Sequence, residues 1–477
     1  MRRLLPLVLL LSAVGALTLG ARSTGLGRAA ELKTVDWRFQ RFSEPARRDP
    51  NIVLVMVDQA SLDHFDKDGV YWPWPRSLYG AGLTFLKKAG AKADVLDILF
   101  TNPSAIGADQ DAELAKAMKS FGRVVSAMES GRDADPRRAA APPARFAVDA
   151  PALPAAARPV VRLPIPELTA ASAFLGDAAV EPDPDGVFRR VPLATRLGGK
   201  LYPTMPAAAA MAATGKSLAE LAPPLEGGLM AVRFHGKALA ADHALRTYPF
   251  YSFGDLVLSG NALEEGRKPK LEPSMFKDKL VLVGLSAAGL LDNRPSPISP
   301  VFPGTEIIAA AADNLINRDF LTRGSTASLL LLVTAALLAA GLASRLSRHA
   351  WMALGLILLA SAALAAAAAA AFRGGVLLDM AAPQLALWLG FAAASAYGYA
   401  VEGKQARYIQ AAFGHYLSPE IVRRISESPD SLRLGGERRE VTFYFSDIAG
   451  FTTFSEKLEP EALTKLMNTY LGHMTDT

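Results

Sequence analysis

Four long apolar stretches constrain this chain more than any other feature of its sequence. They span residues 4–20, 327–344, 351–372 and about 380–401. Each is close to the ~20 residues that an α-helix needs to cross the hydrocarbon core of a bilayer. Buried helices of a soluble core are the alternative, but the last three stretches follow one another through very short connections, which is typical of a membrane bundle. We therefore predict a multi-pass protein embedded in a lipid bilayer.

The first apolar stretch admits two interpretations. Arg2 and Arg3 precede it and small residues end it near Ala21, a pattern shared by cleavable signal peptides and uncleaved signal anchors. We predict that residues 1–21 form a transmembrane signal anchor. Both interpretations export the segment that follows.

Basic residues in the short connections predict the orientation of the spans. They flank one side of the bilayer: Arg2, Arg3, Arg345, Arg348, Lys404 and Arg407. The turn between the last two spans has only Arg373, with Asp379 nearby. We therefore predict that residues 22–326 are periplasmic, that residues 327–401 form three helices across the inner membrane, and that residues 402–477 are cytoplasmic.

The composition excludes several kinds of site. The chain has no cysteine, so disulfides, thiol catalysis and cysteine-ligated metals are excluded. Its 51 Lys and Arg residues against 46 Asp and Glu residues give a net charge of only +5, scattered along the chain. We therefore predict no nucleic-acid partner.

The exported segment alternates apolar strands with amphipathic helices. Strands are predicted at residues 52–57, 95–100, 124–128 and 279–285, and helices at residues 77–88 and 109–120, the second capped by Asp109. Continuously apolar, β-branched strands separated by helices predict an α/β fold with a largely parallel sheet. Residues 132–162, rich in Ala, Pro and Arg, predict a long surface loop.

Four residues of this segment are candidates for binding an extracytoplasmic ligand. Trp72, Trp74 and Arg76 lie in the segment WPWPR, where the guanidinium could stack on a ring or bind an acidic group. A rigid turn that buries both indoles is the alternative. Asp58 ends a predicted strand, where ligands collect in parallel sheets; the alternative is a carboxylate that caps the next helix or holds a turn.

The segment Asp183-Pro-Asp-Gly186 carries two closely spaced carboxylates. Calcium ligation is one interpretation, but the other spaced oxygens and the distal Glu of a calcium loop are missing. We predict an ordinary β-turn here.

Several blocks of this segment resemble the CHASE2 family of extracellular sensors. They are VDWRFQRF (35–42), residues 52–62 and 71–100, DPDGVFRRVPL (183–193), and residues 276–292 and 302–316. The resemblance implies an extracytoplasmic α/β sensor domain with one span before it and three after it. The hydropathy pattern predicts the same arrangement independently.

The end of the chain predicts a strand, a sharp turn and two helices. The strand is VTFYF (441–445), a capping box at residues 453–456 opens the first helix, and Pro460 opens the second. Asp447 thus follows a strand and precedes a helix N-terminus, a place that suits a divalent cation and a polyphosphate. An ordinary turn carboxylate is the alternative.

Residues 439–471 resemble the opening of the class III nucleotidyl cyclase domain, an α+β ferredoxin-like fold. The resemblance implies that Asp447 and the backbone carbonyl of Ile448 hold two Mg²⁺ or Mn²⁺ ions. It also implies that the substrate triphosphate faces four residues: Ala449, Gly450, Phe451 and Thr452. Residues 413–425 and 432–439 resemble the segment that commonly leads into such a domain. We therefore predict a cytoplasmic linker at residues 402–440 and the first part of the cyclase domain at residues 441–477. The family builds its active site in a homodimer.

The sequence therefore predicts a transmembrane receptor-type adenylate cyclase that converts ATP to cyclic AMP and pyrophosphate. A guanylate cyclase acting on GTP, and a non-catalytic sensor with a degenerate cyclase-like domain, are the alternatives. A transporter has little support, because the spans carry no ionisable residue near their centres. The base-selecting and transition-state residues of the family would lie beyond Thr477, so we expect residues 1–477 alone to be inactive.

Overall fold

The computed structural model describes residues 5–131, 141–158, 160–223, 225, 228–236, 247–290, 293–347, 349–413, 440, 442–443 and 445–476. The chain divides into two compact units, Met1–Ala400 and Val401–Thr477. The described helices are α1 (Leu5–Ser23), α2 (Gly25–Phe42), α3 (Gln59–Lys67), α4 (Arg76–Lys88), α5 (Ala108–Phe121), α6 (Pro166–Ala171), α7 (Met205–Thr214), α8 (Leu218–Leu221), α9 (Phe253–Glu264), α10 (Gly304–Asn317), α11 (Thr326–Leu346), α12 (Ala350–Arg373), α13 (Ala381–Phe413), α14 (Phe451–Ser455) and α15 (Pro460–Asp476).

The described strands all lie in the first unit. They are β1 (Ile52–Val57), β2 (Ala93–Leu96), β3 (Val124–Gly131), β4 (Val160–Arg162), β5 (Phe174–Asp177), β6 (Arg190–Pro192), β7 (Ala194–Leu197), β8 (Lys200–Pro203), β9 (Leu229–Ala231), β10 (Phe250–Ser252), β11 (Leu280–Leu285), β12 (Asn293–Arg294), β13 (Phe302–Pro303), β14 (Thr322–Arg323) and β15 (Val376–Leu377). The main sheet has the order β10-β1-β11-β2-β3-β4, and β5 also pairs with β3. The remaining strands form two-stranded pairs.

The main sheet is parallel except at β4, as the sequence predicts. Strand β1 is buried along its whole length because helices cover both faces of the sheet. Ile52, Leu54 and Met56 point into the layer that contains α7 and α10. Val53, Val55 and Val57 point into the layer that contains α4, α5 and α9. Two apolar cores therefore sandwich one sheet.

Two glycines let α7 and α10 approach the sheet closely. A Cβ atom on Gly284 of β11 would lie 1.9 Å from the hydroxyl of Thr305 in the first turn of α10. A Cβ atom on Gly176 of β5 would lie 2.7 Å from the backbone of Met205, where α7 begins. Both helices consequently start directly at the carboxyl edge of the sheet, where ligands bind in open parallel sheets.

Three local predictions for this unit are wrong. The second strand ends at Leu96 and does not continue to Phe100. Helix α5 has Gly107 as its N-cap, and Asp109 lies in its first turn without capping it. The segment 132–162 is not a surface loop throughout: Phe146 and Val161 are buried in an apolar cluster. Residues 132–140 lie outside the described residues.

Among the described helices, α1, α11 and α12 are long and apolar enough to cross a membrane. The fourth predicted span forms the first part of α13, which carries Gln384 and Trp388 and is less apolar. Helix α13 nevertheless packs with the others, because Leu337 of α11 lies against both Gly15 of α1 and Gly390 of α13. Small residues at such crossings are typical of membrane helices.

The second unit contains α14 and α15. Pro460 begins α15, as predicted. The predicted capping box at 453–456 is wrong, because α14 begins at Phe451 and already ends at Ser455. Of the predicted strand 441–445, the described residues Thr442, Phe443 and Phe445 have no regular secondary structure. The linker residues 414–439 lie outside the described residues.

Candidate functional site

The aromatic pair predicted to bind a ligand is part of the sensor core. Trp74 is 4% exposed and stacks on Phe253, with ring centroids 5.7 Å apart. Two further rings meet it edge-on. The ring centroid of Phe65 lies 4.7 Å away, and that of the half-buried Trp72 lies 5.3 Å away. The geometry corresponds to the rigid, indole-burying turn that the sequence offered as the alternative.

Arg76 is occupied by groups of its own chain. Its guanidinium forms an ion pair with Asp111 and donates a hydrogen bond to the backbone carbonyl of Asn102. The guanidinium carbon lies 5.1 Å from the ring centroid of Phe100. The guanidinium thus lies over the ring of Phe100 and not over an indole of this segment, and the acidic group that it binds belongs to α5 and not to a ligand.

Asp58 caps helix α3. One of its carboxylate oxygens accepts hydrogen bonds from the backbone N–H of Ser61 (2.9 Å), the hydroxyl of Ser61 (2.6 Å) and the hydroxyl of Ser252 (2.8 Å). This carboxylate joins the carboxyl ends of β1 and β10 to the start of α3. The geometry corresponds to the capping role that the sequence offered as the alternative.

A different crevice opens at the carboxyl edge of the sheet. It lies between the starts of α7 and α10 and has a volume of about 40 Å³, room for a few water-sized molecules. Its two charged residues are Asp97, which directly follows β2, and Arg294 of β12. The remaining lining is mostly apolar and includes Val180, Phe188, Val191 and Ile307.

The electrostatics of this crevice centre on the Asp97 carboxyl group. Burial raises the pKa of Asp97, while a hydrogen bond from the Thr305 hydroxyl (2.7 Å) and the charge of Arg294 act to lower it. The guanidinium carbon of Arg294 lies 5.2 Å from the ring centroid of Phe188. The crevice therefore combines a carboxyl group biased toward its neutral form, a cation and the positive end of α10, a set that can hold a small polar or anionic group.

Sequence reasoning missed Asp97 because it predicted that the strand continues past this residue. The available signal was the same as at Asp58: an aspartate directly after an apolar β-branched run. Arg294 and Thr305 carried no such signal, since their place at the crevice depends on long-range packing.

The segment Asp183–Gly186 forms the predicted turn, with the N–H of Gly186 donating to the carbonyl of Asp183 (2.8 Å). Both of its carboxylates bind Arg189, whose side chain is 4% exposed. Arg190 also binds Asp183, at 2.6 Å. These carboxylates are thus neutralised by arginines of the same chain.

Asp447 lies in an exposed turn before α14. Its carboxylate accepts a hydrogen bond from the N–H of Ile448 (2.8 Å), and the carbonyl of Ile448 accepts one from the N–H of Phe451 (3.2 Å). Gly450 has a φ of 70°, a left-handed conformation that favours glycine, and is the N-cap of α14. Ala449 and Thr452 are exposed on either side of it.

The turn thus brings the predicted metal and phosphate residues together at a helix N-terminus. Within the described residues, no group of three or more His, Asp or Glu side chains is arranged to hold a metal ion. Asp447 and the Ile448 carbonyl are oxygen ligands of the kind that Mg²⁺ and Mn²⁺ prefer, so these two residues fit the implied ions as part of a site.

The structure combines a parallel α/β domain with helices that are long and apolar enough to cross a membrane. The chain belongs to the CHASE2 domain family, because the model of that family matches residues 10–343. The predicted CHASE2 resemblance is therefore confirmed. Domains of this family often occur in cyclase or kinase signalling proteins. No curated protein and no solved structure matches the chain.

Proposed function

We propose that this chain is the sensory and membrane part of a receptor-type adenylate cyclase, which converts ATP to cyclic AMP and pyrophosphate. The observation that carries the proposal is the segment 446–452: a carboxylate at Asp447 and an exposed turn at the start of a helix, in a chain that begins with a CHASE2 sensor. A guanylate cyclase would use the same residues, and product identification distinguishes the two.

In this mechanism the protein contributes orientation and charge. Asp447 and the Ile448 carbonyl would hold two Mg²⁺ or Mn²⁺ ions, which when bound stabilise negative charge on the phosphates and activate the ribose hydroxyl. The turn from Ala449 to Thr452, together with the start of α14, would face the triphosphate. The remaining catalytic residues would come from the rest of the domain and from the second chain of a homodimer.

The substitution Asp447→Asn in the full-length protein tests this proposal. It removes one charge at an exposed position, so folding should be unchanged, while the rate of cyclic nucleotide formation should fall at least ~100-fold. Glu456→Gln, at an exposed position just after α14, is the matched control and should leave the rate unchanged. A folded Asp447→Asn variant with near-normal activity would show that Asp447 is an ordinary turn residue. No activity in the unsubstituted full-length protein would favour the non-catalytic sensor.

The topology that we propose places the sensor in the periplasm and the N-terminus and second unit in the cytoplasm. The larger number of basic residues beside the spans on the predicted cytoplasmic side supports it. A reporter fused after Ser347 should then be cytoplasmic, and one fused at Gly260 periplasmic. The reverse result would show that the protein has the opposite orientation in the membrane, and it would contradict the assignment of an extracytoplasmic sensor.

We place the ligand of the sensor in the Asp97–Arg294 crevice, because this crevice lies at the carboxyl edge of the parallel sheet, beside the start of α10. A thermal-shift screen with small carboxylates and small amides tests this. A binder should raise the melting temperature of the unsubstituted protein but not of Asp97→Asn or Arg294→Gln. A binder that stabilises all three equally lies elsewhere.

A further inference from the structure

A partly buried carboxylate joins helix α2 to the start of helix α13. One oxygen of Glu31 accepts hydrogen bonds from the backbone N–H groups of Met380 and Ala381, both at 2.8 Å. The other oxygen pairs with the guanidinium of Arg38 at 2.7 Å. Because the free N–H groups at a helix start are strong donors, this carboxylate ties α13 to a helix 349 positions earlier in the chain.

Further polar contacts surround Glu31. Arg38, which is fully buried, also donates to the carbonyl of Leu378 at 2.7 Å. Asp379 pairs with Arg22 at 2.9 Å and with Arg323 at 3.1 Å. Residues 378–381 are therefore held by α1, by α2 and by the segment that precedes α11.

Helix α2 is a separate helix and not a continuation of α1. Thr24 interrupts the two helices and caps α2, and a Cβ atom on Gly27 would lie 2.1 Å from the carbonyl oxygen of Ala21. At its sensor end, α2 is fixed to the sensor by Asp36, which binds Arg189 through two hydrogen bonds of 2.7 Å. Helix α2 thus contacts the sensor through Asp36 and the start of α13 through Glu31.

We infer that Glu31 is the positioning residue through which the sensor moves α13. Helix α13 begins in the first unit and continues without interruption to Phe413, which belongs to the second unit. A displacement of the Asp183–Arg189 segment displaces α2, and Glu31 passes that displacement to α13. That the moved helix regulates nucleotide synthesis rests on the proposed function; the coupling itself does not.

Because the chain has no cysteine, two spin labels can be placed without background sites. Leu346→Cys labels an exposed position at the end of α11, and Tyr399→Cys labels an exposed position in the middle of α13. The distance between the labels is measured by pulsed electron paramagnetic resonance in the full chain, with and without Arg189→Lys in the sensor. A milder sensor change, Asp185→Asn, provides a second perturbation if Arg189→Lys folds poorly.

The expected result is a shift of about 1–2 Å in the label distance on changing the sensor, the size of helix shifts in other switching proteins. The shift should disappear when Glu31→Ala is added and should be reduced by Glu31→Gln, which keeps an acceptor for the two N–H groups. Glu113→Ala, an exposed glutamate of α5, is the matched control and should leave the shift intact.

Two outcomes overturn the inference: a shift that persists unchanged in both Glu31 variants, and the absence of any shift with either sensor change. A cyclic nucleotide assay on the same preparations tests the proposed function separately. Coupling without synthesis would contradict the cyclase and leave the role of Glu31 standing.

Discussion

Arg189 binds both carboxylate oxygens of Asp36, each at 2.7 Å, although 153 positions of the chain separate the two residues. The pair is buried, and it unites two of the blocks that carry the CHASE2 resemblance, VDWRFQRF and DPDGVFRRVPL. Arg189 also binds Asp183 and Asp185, so one guanidinium organises three carboxylates. The packing of α2 on the sensor depends on this arrangement.

Removing the Arg189 charge should destabilise the sensor strongly. Arg189→Gln leaves buried carboxylates without their partner, and we expect a loss of roughly 3–5 kcal/mol in the free energy of unfolding. Arg189→Lys should recover only part of it, because an ammonium group lacks the planar fork. Arg190→Gln, at a more exposed position, should cost much less. Thermal unfolding in detergent measures all three, and equal losses would contradict the central role of Arg189.

The same cluster predicts how stability responds to acid. The hydrogen bond from Arg189 lowers the pKa of Asp185 to about 2. A carboxyl group whose pKa is lower in the folded state stabilises that state above its ordinary pKa, near 4, and loses this contribution as the pH falls through about 2. The stability difference between the unsubstituted protein and Asp185→Asn should therefore be roughly 2 kcal/mol near pH 6 and should vanish near pH 2. A difference independent of pH would contradict the assignment.

Asp94 predicts the opposite trend. This residue of β2 is fully buried, and neither carboxylate oxygen has a hydrogen-bond partner, so burial raises its pKa well above the ordinary value. The folded state then holds a proton that the unfolded state releases above about pH 4, and the contribution of Asp94 to stability falls as the pH rises, by up to about 1.4 kcal/mol per pH unit. Asp94→Asn should lack this slope. Unfolding curves of both proteins from pH 4 to pH 8 should diverge, and parallel curves would contradict the prediction.

Helix packing in the apolar bundle predicts a contrast between two glycines of α13. A Cβ atom on Gly390 would lie 3.0 Å from Leu337 and 3.3 Å from Ala340, whereas Gly398 has no atom within 4 Å. Gly390→Leu should therefore destabilise the bundle by roughly 1–3 kcal/mol. Gly398→Leu is the matched control and should be neutral or slightly stabilising. Equal unfolding temperatures for both variants in detergent would mean that α13 does not pack against α11.

The sequence predicted features that depend on local pattern. The continuous apolar run of β1 and the long apolar runs of α11 and α12 each reflect residues within one element, and the structure has these elements where they were predicted. The predicted strand 95–100 failed because its apolar residues continue into a loop beside the sheet. Apolar character alone does not show where hydrogen bonding between strands ends.

The polar contacts, in contrast, depend on residues that are distant in the chain. Arg76 and Asp58 were predicted as ligand contacts from their local setting, but Asp111 and Ser252, which bind them, are distant in the chain. The contacts of Glu31 with residues 378–381 were missed for the same reason, as was the meeting of Arg294 and Thr305 at the Asp97 crevice. Which charges meet in a folded protein is decided by the packing of whole elements, and no periodicity within one segment encodes it.

The short pairing of β14 with β15 has a mechanical consequence. The N–H of Thr322 donates to the carbonyl of Gly375 (2.8 Å), and the N–H of Gly324 donates to the carbonyl of Leu377 (2.9 Å). These bonds hold the backbone just before α11 beside the backbone just after α12. A piston stroke of α13 along its axis would shear both bonds, while a tilt about them would leave both intact. This pairing therefore favours a tilt of α13 over a translation of α13 along its axis.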